Sequence, residues 1–268
     1  MRIIYTYWTK SINPELVNKP KSIDTFIYYQ TVSLYYLRKN IPSNYTIDII
    51  TDNFGKKLFE EKIPKLWDNI YCEMDDFNHY SVDRWALVKI LKLFSLEPPF
   101  IHMDYDIIIK SPKLFNSLES SKNINYLYQT GEPITFHSLY MESFKKMKNL
   151  LKRYSISPTI AYNAGFNYFN KDISKIYNQI LKYSKLEGCA FIDDMFFEQI
   201  VIPGLISKSD KVYTLNNLIN VVPSVENYMK NFIKDLDYMH FASYGLKEQN
   251  IEYIKEEYKK IINKDVRI

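Results

Sequence analysis

Two aspartates separated by one residue are the clearest candidates for chemistry in this sequence. Asp104 and Asp106 lie in the segment PPFIHMDYDIIIKSP, between two apolar runs. If the whole segment is a strand, His102, Asp104 and Asp106 share one face, with neighbouring positions on that face about 7 Å apart. Two ionised carboxylates so close in apolar surroundings need a shared proton or a bound cation. A hard divalent cation such as Mg²⁺ or Mn²⁺ takes carboxylate oxygens and keeps open positions for phosphate.

The same pair also fits an edge strand with two solvated aspartates, because Asp-x-Asp is a short pattern. Its position at the end of a hydrophobic strand, directly after an amphipathic helix, favours the metal site. The elements around the pair therefore have to decide between the two interpretations.

The composition is that of an ordinary soluble globular protein. The chain has 268 residues, of which 46% are hydrophobic and 25% charged, with a net charge of +4. This mild charge permits anionic substrates and does not require nucleic acid. No segment approaches about 18 uncharged apolar residues, and the N-terminal stretch does not resemble a signal peptide. Cys72 and Cys189 have no metal-binding spacing. We therefore expect a cytoplasmic protein in a reducing compartment.

The first 110 residues read as β-α-β-β-α-β. Strands are predicted at residues 2–8, 45–51 and 70–74 and over the Asp-x-Asp segment, with helices at 23–39 and 81–97. The second helix would direct Trp85 inward, and Asp52 would begin a turn. Alternating strands and helices imply a largely parallel sheet with helices on its faces, and ligands bind beyond the carboxyl ends of such strands.

The remaining sequence continues the mixed pattern. Strands are predicted at residues 124–129, 161–169 and 211–215, and helices at 137–153, 172–186, 191–201 and 248–262. We see no linker or repeat, so we predict a single domain, 1–268. Its nucleotide-binding half would be 1–110 and its acceptor-side half 111–268. The helix at 137–153 is strongly basic, and with the Lys-rich C-terminus it suggests weak association with a membrane surface.

The order of these features resembles the GT-A class of nucleotide-sugar glycosyltransferases. IHMDYDIII is similar to the family's Asp-x-Asp strand, AYNAGFNYFNK to its Asn-Ala-Gly strand, GCAFIDD to a late acidic segment, and HFASYGLK to a C-terminal His-to-Lys segment. The resemblance implies an α/β fold, GT-A-like and Rossmann-related, with a mostly parallel central sheet flanked by helices. It also implies transfer of a sugar from a nucleotide-diphosphate-sugar, such as a UDP- or GDP-sugar, to a glycan, lipid-linked or protein acceptor.

The resemblance also implies a set of site residues. The metal, Mn²⁺ or Mg²⁺, would be held by Asp104, Asp106 and His240, and the catalytic base of an inverting enzyme would be Asp194 or Asp193. The donor would be bound by Trp8, Tyr7, Arg84, Asp104, Asn163, Ala164, Gly165 and Lys247. A retaining enzyme needs no such base, and both stereochemical outcomes stay open.

Several of these residues also have an ordinary structural interpretation. Trp8 would then lie in the core and His240 would be an ordinary half-buried histidine, whereas Arg84 would be a solvated helix residue and Gly165 part of a β-bulge. Asp193 and Asp194 would then cap a helix.

Two other functions fit parts of the pattern. A sugar nucleotidyltransferase also binds a nucleotide with paired acids, but it favours a glycine-rich loop after the first strand, and the loop TKSINPELVNKPKS has no glycine. A non-catalytic glycan-binding or scaffolding protein would bind sugar without metal or nucleotide.

Overall fold

The helices and strands follow one another along most of the chain. The structure is a computed structural model and describes residues 1–12, 22–63, 66–121, 123–134, 140–219, 237–241 and 248–263. Its strands are β1 (Arg2–Tyr7), β2 (Thr46–Thr51), β3 (Asn69–Cys72), β4 (Phe100–Met103), β5 (Ile107–Ile109), β6 (Tyr126–Pro133), β7 (Ile160–Phe169), β8 (Val212–Thr214) and β9 (Tyr238–His240). Its α-helices are α1 (Ile23–Asn40), α2 (Asn53–Lys62), α3 (Trp85–Leu93), α4 (Lys113–Ser120), α5 (Met141–Lys146), α6 (Lys148–Arg153), α7 (Ser174–Ser184), α8 (Phe191–Phe196), α9 (Ile202–Ile206) and α10 (Glu248–Ile262).

A seven-stranded, mostly parallel sheet forms the centre of the fold. Its strand order is β3-β2-β1-β4-β7-β6-β8, and β5 and β9 form a separate antiparallel pair. The pairs β1/β2, β2/β3 and β6/β8 are parallel, whereas β6/β7 is antiparallel. This mixed α/β sheet flanked by helices confirms the predicted fold class.

The chain divides into two compact units, each built from separate stretches of sequence. The first unit comprises residues 1–75, 103–122 and 218–268, and the second comprises residues 76–102 and 123–217. The predicted single domain with a division at residue 110 stays a prediction.

The first unit is built on isoleucine-rich parallel strands whose side chains are buried. Ile3, Ile4, Ile47 and Ile49 are all fully buried. Helix α1 begins after Ser22, whose Oγ accepts a hydrogen bond from the Thr25 amide at 3.4 Å and so caps the helix.

The predicted turn at Asp52 is in fact the start of a helix that the sequence analysis missed. Asp52 caps α2, because its Oδ1 accepts from the Gly55 amide at 2.8 Å and its Oδ2 accepts from the Thr9 amide at 2.8 Å. A Cβ atom on Gly55 would overlap the Thr51 hydroxyl, so the close approach of this helix requires glycine. The order of strands and α-helices in the first 110 residues is therefore β-α-β-α-β-α-β-β.

Other sequence predictions, both here and later in the chain, also differ from the structure. The helix predicted at 81–97 begins as a 3-10 turn, Val82–Arg84, and only then becomes α3. A 3-10 turn has fewer residues per turn than an α-helix, so the side chains that follow it point in other directions than a continuous α-helix would give. Trp85, which was predicted to be buried, is therefore 39% exposed. Helix α4 and strand β9 were not predicted. The helix expected at 137–153 consists of α5 and α6, and residues 135–139 lie outside the described part of the chain.

The second unit carries an irregular helix that begins at Phe191. Helix α8 continues as a π-helical segment, Phe197–Val201, and then as α9. The predicted helix at 191–201 is therefore present at that position, but its second half is π-helical instead of α-helical. The predicted strand at 161–169 and the terminal helix at 248–262 are both present. Among the described helices, none is long and apolar enough to cross a membrane.

Candidate metal centre

The Asp-x-Asp segment forms a tight turn instead of a continuous strand. Strand β4 ends at Met103 and β5 begins at Ile107. The Ile107 amide donates to the Asp104 carbonyl oxygen at 3.3 Å, which closes a four-residue turn. The predicted sharing of one strand face by Asp104 and Asp106 is therefore wrong. The turn brings the two carboxylates together because it reverses the direction of the backbone between them.

Strand pairing in the first unit brings a histidine to this turn. In the β5/β9 pair His240 lies opposite Ile107, and the Phe241 amide donates to the Asp106 carbonyl oxygen at 3.2 Å. His240 Nε2 is consequently 3.3 Å from Asp106 Oδ1. One ligand atom from each of Asp104, Asp106 and His240 lies within 4.8 Å of the other two.

The donor set fits a divalent cation. Asp106 is 8% exposed and His240 is 7% exposed, whereas Asp104 is partly exposed. Two carboxylates supply the oxygen ligands that Mg²⁺ and Mn²⁺ prefer, and an imidazole nitrogen suits Mn²⁺ better than Mg²⁺. Three protein ligands leave coordination positions for other groups. Asp104, Asp106 and His240 could therefore hold one such ion on the partly exposed side of the turn.

Aromatic side chains pack against Tyr105 and hold the Asp-x-Asp turn in place. The Tyr105 ring is 5.5 Å from the Tyr7 ring and 5.0 Å from the Phe26 ring, both in edge-on contacts. Tyr7 in turn stacks on Phe26 with ring centroids 3.9 Å apart. Burial and the nearby Asp106 carboxylate raise the pKa of Tyr105 well above its usual value, so its hydroxyl stays protonated.

Trp8 and Tyr7, the two aromatic residues among those predicted to bind the donor, pack mainly within the first unit. Trp8 is buried, with Lys10 Nζ 5.3 Å from its ring centroid. Tyr7 belongs to the packing behind the turn. Their roles toward a nucleotide stay predictions, and Lys247 lies outside the described residues.

In the second unit, Arg84 and Asp194 form a buried ion pair with two hydrogen bonds. Arg84 Nε donates to Asp194 Oδ2 at 2.6 Å and Nη2 donates to Oδ1 at 2.9 Å. Tyr183 adds a third hydrogen bond to Oδ1 at 2.8 Å. Burial raises the pKa of Asp194, and the bonds from Arg84 and Tyr183 oppose that shift. The alternative interpretation of Arg84 as a solvated helix residue is therefore wrong, and its role toward a donor stays a prediction.

Asp193 is bound by a different set of donors. Its Oδ1 accepts from Ser143 Oγ at 2.7 Å, and its Oδ2 accepts from Lys146 Nζ at 2.5 Å and from the Ala190 amide at 2.9 Å. The last bond is the reciprocal half of a helix cap, as the structural interpretation proposed. Although burial alone would raise it, the bonds from Lys146, Ala190 and Ser143 hold the pKa of Asp193 below its usual value. The role of either aspartate as a base stays a prediction.

The Asn-Ala-Gly stretch interrupts strand β7 with a bulge. The register pairs Tyr128 with Asn167 and Thr130 with Asn163, so β7 holds two more residues than β6 across this interval. The Gly165 amide donates to Asn163 Oδ1 at 2.9 Å, and Asn167 Nδ2 donates to the Ala164 carbonyl at 2.8 Å. The bulge is therefore present, and a role of these residues toward sugar stays a prediction.

Sequence reasoning missed two polar features of the second unit. Gln129, on β6 opposite the bulge, is fully buried, and neither atom of its side-chain amide has a hydrogen-bond partner among the described residues. Lys89 Nζ pairs with Glu198 Oε1 at 2.9 Å, with both side chains buried. Burial, together with Lys89, lowers the pKa of the fully buried His102 well below its usual value. No local signal marks Gln129, because YLYQT reads as an ordinary strand.

Comparison with known proteins gives one family and a shared fold. A model of DUF6734, described as a family of unknown function, matches residues 1–265. No curated protein matches the sequence. The galactosyltransferase LgtC, solved in complex with donor and acceptor sugar analogues, superposes with a TM-score of 0.54 and 11% identity, covering 97% of this chain and 96% of that chain. The bifunctional glycosyltransferase WbbM gives a TM-score of 0.51 and 12% identity, covering 96% of this chain and 49% of that chain. At these identities the comparison shows the fold alone, and it confirms the expected GT-A-like fold.

Proposed function

This chain belongs to the DUF6734 family, and we propose that it is a metal-dependent glycosyltransferase. Its donor is a nucleotide-diphosphate-sugar, with UDP or GDP as the nucleotide, and its acceptor is a hydroxyl of a glycan, a lipid-linked glycan or a protein. The observation that carries the proposal is the convergence of Asp104, Asp106 and His240 within 4.8 Å.

The chemistry of sugar transfer explains why such a donor set is useful. A nucleoside diphosphate leaves readily only when its developing negative charge is neutralised, and a bound Mn²⁺ or Mg²⁺ supplies that neutralisation. Asp106, held by the β5/β9 pair and by the Phe241 amide, is the best fixed ligand. Asp104 is more exposed and can serve the cation directly or through ribose or water.

The fold supports the same conclusion independently. In open α/β sheets ligands bind beyond the carboxyl ends of the parallel strands, and the Asp-x-Asp turn directly follows the end of β4. The likeness to LgtC and WbbM adds that glycosyltransferases use this fold. A glycan-binding module would need neither the two acids nor the histidine at this turn.

Calorimetry with nucleotide sugars tests the proposal. UDP- and GDP-sugars are titrated into the wild-type chain and the Asp106→Asn variant, each with and without Mn²⁺. We expect one nucleotide to bind in a metal-dependent manner, and the variant to lose at least about tenfold in affinity, since a carboxylate ligand is removed. Glu60→Gln, which changes an exposed acid on α2, is the matched control and should bind like wild type.

Two further readouts sharpen the test. Direct titration of Mn²⁺ by electron paramagnetic resonance should show weaker binding for His240→Ala, because one of the three ligands is gone. Slow hydrolysis of the bound donor in the absence of acceptor should identify the sugar. Nucleotide binding that is equally tight without metal and in Asp106→Asn would refute the proposal.

A further inference from the structure

One surface of the second unit carries exposed cations from two helices. They are Lys148, Lys152 and Arg153 on α6 and Lys175, Lys182 and Lys185 on and directly after α7, and we call this set the basic face. The sequence has no acidic residue at positions 143–171 or at 173–186. Positive charge is therefore segregated on this part of the unit.

A hydrogen bond links the end of α6 to α7 in the basic face. Tyr154, directly after α6, donates its hydroxyl to Gln179 Oε1 on α7 at 2.9 Å. Lys208 Nζ donates to the carbonyl of the same tyrosine. Gln179 is one helical turn from both Lys175 and Lys182, so the end of α6 that carries Lys152 and Arg153 lies beside the surface of α7 that carries these two lysines.

The cations of the basic face are not used for internal ion pairs. Within the described part of the chain, none of the six is within 4.0 Å of a carboxylate oxygen. Neighbouring lysines do make such pairs: Lys146 with Asp193 at 2.5 Å and Lys171 with Asp210 at 3.0 Å. The charges of the basic face are therefore available to an anionic partner.

We propose that the basic face binds the surface of a bilayer that contains anionic lipids. Lysines near such a surface each contribute about a fivefold gain in affinity, and several in one plane act together. Leu186, directly after the last lysine, is 43% exposed. Apolar side chains beside a basic surface can enter the interfacial region of the bilayer. The inference does not rest on the proposed enzymatic function.

The layout of the charges favours a bilayer over a soluble polyanion. A specific site for a phosphate group surrounds the anion with buried, hydrogen-bonded donors. Here the six cations lie on the solvent side of two helices, on long and flexible side chains. Such an array matches many lipid headgroups at once, and the exposed Leu186 beside it could enter the interfacial region of the same bilayer.

Vesicle co-sedimentation tests the inference with the full chain. We compare vesicles of phosphatidylcholine alone with vesicles that also contain phosphatidylglycerol, at low and high salt. Wild type should bind only the anionic vesicles, and high salt should release it because exposed charges are screened. The variant Lys152→Glu/Lys182→Glu/Lys185→Glu should bind at least about tenfold more weakly.

A matched control distinguishes an effect of the basic face on vesicle affinity from an effect of the total net charge. Lys39→Glu/Lys57→Glu/Lys62→Glu changes three exposed lysines of the first unit and alters the net charge equally. It should keep vesicle affinity within about twofold of wild type. An equal loss in both triple variants would overturn the inference, as would absence of wild-type binding to anionic vesicles. Binding to soluble polyphosphate without binding to vesicles would also overturn it. Far-UV circular dichroism checks that each variant is folded.

Discussion

Loss of Asp194 from the Arg84–Asp194 pair is expected to destabilise the second unit by about 3 kcal/mol, because the remaining guanidinium charge has no counter-ion. Asp194 is 0% exposed and Arg84 is 13% exposed, and two hydrogen bonds join them. The substitution Asp194→Asn removes the negative charge and leaves the guanidinium without its counter-ion. Breaking a buried pair from one side costs about 3–5 kcal/mol. The partial exposure of Arg84 to water places the expected loss at the lower end, about 3 kcal/mol.

The third hydrogen bond to Asp194 provides an internal comparison. Tyr183→Phe removes only the hydroxyl, because the ring stays stacked on Phe197 with centroids 3.9 Å apart. A hydrogen bond to a charged group contributes about 1.5–3 kcal/mol, and two donors from Arg84 remain. We therefore expect a loss of about 1.5 kcal/mol, about half that of Asp194→Asn.

Urea unfolding at neutral pH measures these losses, and a double-mutant cycle isolates the pair. The cycle uses Arg84→Met, Asp194→Asn and the combined variant. The combined variant should be at least about 2 kcal/mol more stable than the sum of the single losses predicts, because the partners then leave no uncompensated charge. Additive losses, or a cost of Asp194→Asn below about 1 kcal/mol, would refute this reasoning. A folded Asp194→Asn variant that keeps transferase activity would also remove Asp194 from the candidate bases.

Two further predictions concern buried polar groups of the second unit. The pKa of Asp193 is lowered in the folded chain, so its contribution to stability is present at neutral pH and is lost as the pH falls through the folded-state pKa. Asp193→Asn should therefore cost about 1–2 kcal/mol at neutral pH, where the exposure of Lys146 limits the effect, and less at pH values below the folded-state pKa. An equal cost in urea titrations at acid and neutral pH would contradict this. Gln129→Met should leave stability unchanged or raise it by up to about 1 kcal/mol, since the buried amide lacks a partner. A loss in thermal unfolding would show that the amide is bonded.

The sequence was sufficient for most strands and for the longer helices, because their apolar patterns are regular. It failed at α2, where Asp52, Asn53 and Gly55 are typical of a turn but serve as the cap and first turn of a helix. An aspartate can stabilise a turn or cap a helix, since in both cases its carboxylate accepts hydrogen bonds from the backbone amides that follow it. It also failed at Trp85, because hydrophobic periodicity does not reveal a 3-10 turn that changes the phase of a helix.

The candidate metal centre was only partly predictable from the residues themselves. The apolar residues on both sides of Asp104 and Asp106 read as one strand, and no periodicity marks a turn between them. The contribution of His240 depends on the pairing of β5 with a strand far away in the sequence. The resemblance to a known family supplied that residue, whereas local patterns could not. Gln129 and the partners of Asp193 likewise depend on tertiary packing.

The β5/β9 pair has a consequence for how the chain reaches its folded state. The first unit is discontinuous, and residues 123–217 of the second unit separate Asp106 from His240 in the sequence. During synthesis, β1, β2 and β3 can pair early, but the strand that carries the histidine leaves the ribosome after almost all of the second unit. Contacts of such long sequence separation form slowly because a long loop has to close first. We therefore expect the three candidate ligands to come together late in folding, and a cation that binds them should selectively stabilise the completed chain.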